Sequence, residues 1–103
     1  MKILTVCDQG NNRSVHFSHL LKYWGNDCIP VGLKTNSPET LSMLFKWADL
    51  IITTDNTQHI PDQYQSKSKL FDVGPDTYPR PFNPELNNQV RKYLEDNKEL
   101  LKH

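Results

Sequence analysis

The sequence predicts an α/β domain built on a parallel sheet of four strands with helices on both faces. Three observations carry this. Short apolar runs alternate with segments whose apolar residues recur at helical spacing, the pattern left by right-handed βαβ crossovers. Residues suited to helix caps fall between them, at Gly25-Asn26, Ser37-Pro38-Glu39 and Asn83-Pro84-Glu85. The chain has 103 residues, enough for one domain spanning 1–103, and its hydrophobic fraction of 36% is lean, so a thin sheet covered by helices is expected.

Taken in order, residues 2–7 read as a buried strand. A helix follows from Ser14 to Trp24, with Phe17, Leu20, Leu21 and Trp24 on one stripe. The second strand, Cys28 to Leu33, contains Pro30 and so belongs at a sheet edge. Leu41, Leu44, Phe45 and Ala48 repeat the helical stripe after the Ser37 cap. Residues 49–54 are the most apolar strand, expected at the centre. Asp55 to Tyr64 reads as a loop with at most a short helix broken at Pro61. Leu70 to Val73 is the fourth strand. The run Gly74-Pro75-Asp76-Thr77-Tyr78-Pro79-Arg80-Pro81 holds too much Pro to be regular and reads as an exposed loop. A single last helix then carries Leu86, Val90, Tyr93, Leu94 and Leu101. Trp24, Trp47 and Phe45 are expected in the core.

Between the first strand and first helix lies Cys7-Asp8-Gln9-Gly10-Asn11-Asn12-Arg13-Ser14. A Cys and an Arg separated by five residues, then a hydroxyl, suit a compact oxyanion cradle. Backbone N–H groups of Asp8, Gln9, Gly10, Asn11, Asn12 and Arg13 can turn inward, and the helix adds its positive end. The Arg fork matches two phosphate oxygens at once. A thiol in such a field ionises readily, so anion site and nucleophile share one loop. Ligands of parallel sheets bind beyond the carboxyl ends of the strands. The Cys7 loop and the Pro-rich loop leave that same end, which brings Asp76 over the cradle as a general acid for the departing oxygen. Tyr78 is placed to wall the entrance. Asp72 is the rival acid, set within the predicted fourth strand.

Twelve basic residues balance twelve acidic ones, which argues against bulk attraction to nucleic acid or to a membrane surface. No apolar stretch approaches the ~20 residues that cross a bilayer. The start MKILTVC lacks the apolar region and cleavage site of a secretory signal, so the chain reads as cytoplasmic. Two cysteines make no disulfide framework.

Val6 through Ser14 resembles the active-site loop of the low-molecular-weight protein tyrosine phosphatases. Trp47-Ala48-Asp49-Leu50-Ile51-Ile52 with Asp55 resembles their central strand. Asp72-Val73-Gly74-Pro75-Asp76-Thr77-Tyr78 resembles their acid loop, and Asn83-Pro84-Glu85-Leu86 resembles the last helix of a short branch of predicted phosphatases. The resemblance implies a three-layer sandwich with strand order 2-1-3-4. It also implies Cys7 as nucleophile, Arg13 as phosphate clamp, Ser14 as the hydroxyl that steadies the thiolate, and Asp76 as acid. The substrate would be a phosphorylated protein or a small phosphate ester, and no metal or organic cofactor is called for. Three departures stand out. Gly10 replaces the Asn that braces the family's loop, Asn12 replaces its second Cys, and Lys34-Thr35-Asn36-Ser37 replaces an aromatic pocket wall.

A second reading is a phosphate-ligand or phosphoprotein binding module without useful turnover, motivated by Gly10 and that polar wall. A third, arsenate reduction, needs Cys28 as a resolving thiol. Cys28 begins strand two whereas Cys7 ends strand one, roughly 15 Å apart at ~3.3 Å per residue, and a disulfide needs Cα atoms within about 7 Å. His16 and His19, three apart on the first helix, have the spacing of metal ligands but no third ligand beside them, and are expected at the surface. His59 and His103 are likewise expected in solvent.

Overall fold

In the computed structural model, residues 1–7, 13–54, 60–73 and 84–101 are described. Strand β1 (Lys2–Cys7) leads to helix α1 (Arg13–Tyr23), β2 (Asp27–Gly32), α2 (Pro38–Trp47) and β3 (Leu50–Thr53). A 3₁₀ helix, Asp62–Lys67, precedes β4 (Ser68–Leu70), and α3 (Pro84–Asp96) and α4 (Lys98–Leu101) follow. The four strands pair in parallel in the order β2-β1-β3-β4. Pro30 sits in the edge strand β2, where its missing N–H costs no ladder bond on the open side.

The strands bury both faces, with alternation in which core each residue feeds. Ile3, Leu50 and Ile52 join Phe17 and Leu21 of α1 and Leu86, Val90, Leu94 and Leu101 of α3 and α4. Leu4, Val6 and Ile51 face the other way, toward Phe45 and Ala48 of α2 and Ile60. Phe71 stacks on Tyr93 at 5.0 Å between ring centres and also meets Phe17, which seals the first core at its β4 side. Trp24 and Trp47, expected inside, are only half-buried and lean on these cores from their rims.

Caps stop and start the helices where the sequence places them. Gly25 takes φ 93°, the left-handed conformation that suits Gly, while Asn26 N–H reaches back to the Leu21 carbonyl (3.1 Å) and Gly25 N–H to that of Lys22 (3.0 Å). The Asn26 side chain adds bonds to the carbonyls of Leu21 and Leu101, tying α4 to the end of α1. Ser37 accepts from Thr40 N–H at 3.2 Å, with Pro38 at the first position of α2.

Two elements differ from expectation. β4 pairs through Ser68–Leu70, two residues earlier than Leu70 to Val73. At this edge pairing and burial separate: polar Ser68 and Lys69 carry the ladder, and Phe71 and Val73 turn into the core after it. The last helix is two helices, because Asn97 breaks the ladder. Its side chain donates to the Tyr93 carbonyl (2.8 Å), and its own carbonyl starts the next turn by accepting from Leu100 and Leu101.

Candidate active site

The carboxyl end of β1 is braced from both neighbouring strands. Leu33 N–H donates to the Cys7 carbonyl at 2.9 Å. On the other side Thr54 gives both its N–H (3.1 Å) and its hydroxyl (3.0 Å) to the Val6 carbonyl. Cys7 is held there with 0% exposure. Its Sγ lies 3.0 Å from Ser14 Oγ in the first turn of α1. The thiol donates to that hydroxyl, and once the sulfur is ionised the hydroxyl donates back. Thr5, two residues earlier on β1, gives its Oγ1 hydrogen to the Ser14 carbonyl at 2.8 Å.

Arg13 opens α1 and is 2% exposed, although it carries a full charge. The first turn of α1 contains no acidic residue. Buried guanidinium and the positive end of a helix therefore coincide. Such a place favours an anion. Cys7 and Ser14 are thus brought together, and Arg13, the residue before Ser14, is buried at the head of the same helix. Asp8, Gln9, Gly10, Asn11, Asn12, Asp76 and Tyr78 lie outside the described residues. Asp72, the rival acid, is exposed and lies past the end of β4; its carbonyl is anchored by the Tyr93 hydroxyl at 2.7 Å. The loop after β2 is polar and tied to itself, with Asn36 Nδ2 donating to the Gly32 carbonyl at 2.8 Å.

No family model matches the chain, and no curated protein sequence does. Among solved structures, YwlE arginine phosphatase from Geobacillus stearothermophilus superposes with a TM-score of 0.60 over 99% of this chain and 98% of that one, at 16% identity. The fold is that of the low-molecular-weight phosphatases. Within this phosphatase-like fold, the two cysteines stand far apart. Cys7 pairs with Gly32 and Cys28 with Ile3, four ladder positions away, about 13 Å. Neither cysteine is in a disulfide, and both are buried. Burial pushes the Cys28 thiol up, partly opposed by the hydroxyls of Ser18 and Thr5 and by Lys22, so Cys28 has the character of an inert core thiol.

His16 corrects the expectation of a surface histidine. It is 1% exposed, and its Nε2 donates to Asn87 Oδ1 on α3 at 2.9 Å. Burial holds its imidazole below the ordinary 6.5, against the Asn87 bond and with the charges of His19 and Arg91 adding to the effect. His19 is exposed; His59 and His103 lie outside the described residues. Among the described residues no group of three His, Cys, Asp or Glu side chains could hold a metal ion, and no helix is long and apolar enough to cross a membrane. Sequence reading misses Thr5, Thr54 and Asn87, whose side chains bond Ser14, Val6 and His16. For Thr5 a signal exists: it interrupts an apolar strand two residues before Cys7, and so on the same face.

Proposed function

We propose that the chain is a cysteine-dependent phosphatase that hydrolyses a phosphate monoester through a phosphocysteine intermediate. The observation that carries this reading is Cys7 Sγ at 3.0 Å from Ser14 Oγ, next to Arg13, which is buried in the first turn of α1. In the first step the Cys7 thiolate forms the S–P bond as the P–O bond to the leaving group breaks. Asp76, assigned from the sequence, gives its proton to that oxygen. In the second step water forms a new P–O bond and loses a proton to the Asp76 carboxylate. The S–P bond breaks, its electron pair returns to the Cys7 sulfur, and inorganic phosphate leaves. Arg13 and the loop N–H groups carry the charge of the equatorial oxygens through both steps.

The low-molecular-weight phosphatase family, suggested by the Cys7–Ser14 loop and matched in fold, supports the same assignment. Phosphotyrosine is the first substrate to test. The fold neighbour is by name an arginine phosphatase, so a phosphoarginine, with a P–N bond in place of P–O, is the second. Turnover of p-nitrophenyl phosphate or of phosphoarginine, abolished by Cys7→Ser, with phosphocysteine trapped by acid quench in Asp76→Ala, is the expected result. Folded protein that turns over neither compound refutes the reading. Phosphate binding without phosphocysteine would instead mark a binding module.

A further inference from the structure

Position 5 is the place in β1 where an apolar residue would be expected and is not found. Ile3, Leu4 and Val6 around it are fully buried hydrocarbons, and Thr5 is as deeply buried as they are. Its hydroxyl would carry a desolvation cost unless it were bonded, and it is bonded, to the carbonyl of Ser14. That carbonyl belongs to the first turn of α1, whose own ladder supplies an N–H four residues on. The bond is therefore needed by Thr5 and not by Ser14, and what it adds is a point of attachment.

Thr5 and Cys7 lie two apart on β1 and share one face. Together they grip a single residue of α1 at two points, its main chain through Thr5 Oγ1 at 2.8 Å and its side chain through Cys7 Sγ at 3.0 Å. One contact alone would leave the turn free to roll about it, whereas two fix its orientation. We propose that Thr5 is a positioning residue, whose bond to the Ser14 carbonyl sets the first turn of α1 so that Ser14 Oγ meets the Cys7 sulfur and Arg13 faces the bound anion. The assignment rests on the reading of Cys7 as a thiolate nucleophile in a phosphate cradle.

The test compares Thr5→Val, which keeps the shape and removes the hydroxyl, with Thr5→Ser, which keeps the hydroxyl. Two quantities are measured on folded protein: the pH profile of Cys7 alkylation by iodoacetamide, and the inorganic phosphate concentration that half-protects it. Thr5→Val is expected to slow alkylation at pH 6 by roughly two- to tenfold and to weaken phosphate protection by a similar factor. Thr5→Ser is expected to restore both. A purely structural role would lower Tm in Thr5→Val and leave both quantities at wild-type values, and that result overturns the proposal. If Thr5→Val does not fold, Thr5→Ala against Thr5→Ser gives the same comparison, and the same two results support or overturn it. Wild-type protein in which Cys7 reacts like a free thiol and phosphate gives no protection overturns the phosphatase reading, and this assignment with it. Normal wild-type behaviour with an unchanged hydroxyl-free variant overturns this assignment alone.

Discussion

Removing the Ser14 hydroxyl tests the site most directly. In Ser14→Ala the Cys7 sulfur loses a donor now 3.0 Å away. Both residues are fully buried, so neither salt nor water replaces the lost bond cheaply. A hydrogen bond to an ionised group contributes about 1.5–3 kcal/mol, which converts to roughly 10- to 150-fold in an equilibrium or a rate. The two chemical steps should feel it differently. In the proposed first step the thiolate is the attacking group, and a less stabilised anion is rarer but more nucleophilic, so the effects partly cancel. In the second step the thiolate is the leaving group and nothing compensates. Ser14→Ala should therefore lower kcat by about tenfold or more, and stopped-flow traces with p-nitrophenyl phosphate should show a burst of nitrophenol before a slow steady state. Alkylation of Cys7 at pH 6 should slow as well. A folded Ser14→Ala protein with kcat and alkylation both within about twofold of wild type would refute the claim that this hydroxyl serves the sulfur.

Three other perturbations follow from single residues. Because His16 is held below 6.5 in the fold, the unfolded chain takes up its proton first as the pH drops. Stability should then fall as the pH passes below about 6.5 and level off under the folded value, and His16→Met should flatten that slope in denaturant titrations. Cys28 is buried, raised and about 13 Å from Cys7 along the ladder, so Cys28→Ala should leave aryl-phosphate turnover unchanged; a clear fall in that turnover in folded protein would contradict this. Ser37→Ala removes the acceptor of Thr40 N–H and should cost about 1 kcal/mol, a Tm drop of about 4–8 °C read by circular dichroism, with activity retained.

Strand number, parallel pairing and the edge position of β2 are legible in the sequence because each depends on local pattern: apolar runs, a helical stripe, and Pro30. Boundaries are less so where pattern and pairing part company. At β4 the apolar pattern points to Phe71 and Val73, which are buried, while the ladder runs through Ser68 and Lys69. The break at Asn97 is hidden because Leu94 and Leu101, on either side of it, enter the same core. Of the proposed site, the meeting of Cys7 with Ser14 is legible since the two are close in sequence. His16 is misjudged because its burial depends on Asn87, 71 residues away. Thr54 braces Val6 across 48 residues, and nothing local announces such a pair.

These unannounced contacts share a place and a physical logic. Of the six buried residues of α1, four are polar: Arg13, Ser14, His16 and Ser18. The apolar pair is Phe17 and Leu21, and the far end closes with the Gly25 turn. A helix this polar on its inner face gains little from burial in its first turns. It is held there by directed bonds instead, from Thr5 on the sheet side and Asn87 on the α3 side. Hydrocarbon packing would tolerate small slips and rolls of the helix, whereas hydrogen bonds of 2.8 and 2.9 Å fix both its height and its rotation. The proposed nucleophile, clamp and hydroxyl, which would meet at one phosphorus, need such fixity. The polar half of α1 thus gives up hydrophobic stabilisation at the end where geometry matters, while Phe17, Leu21 and the α3 residues they pack against stabilise the rest of the layer.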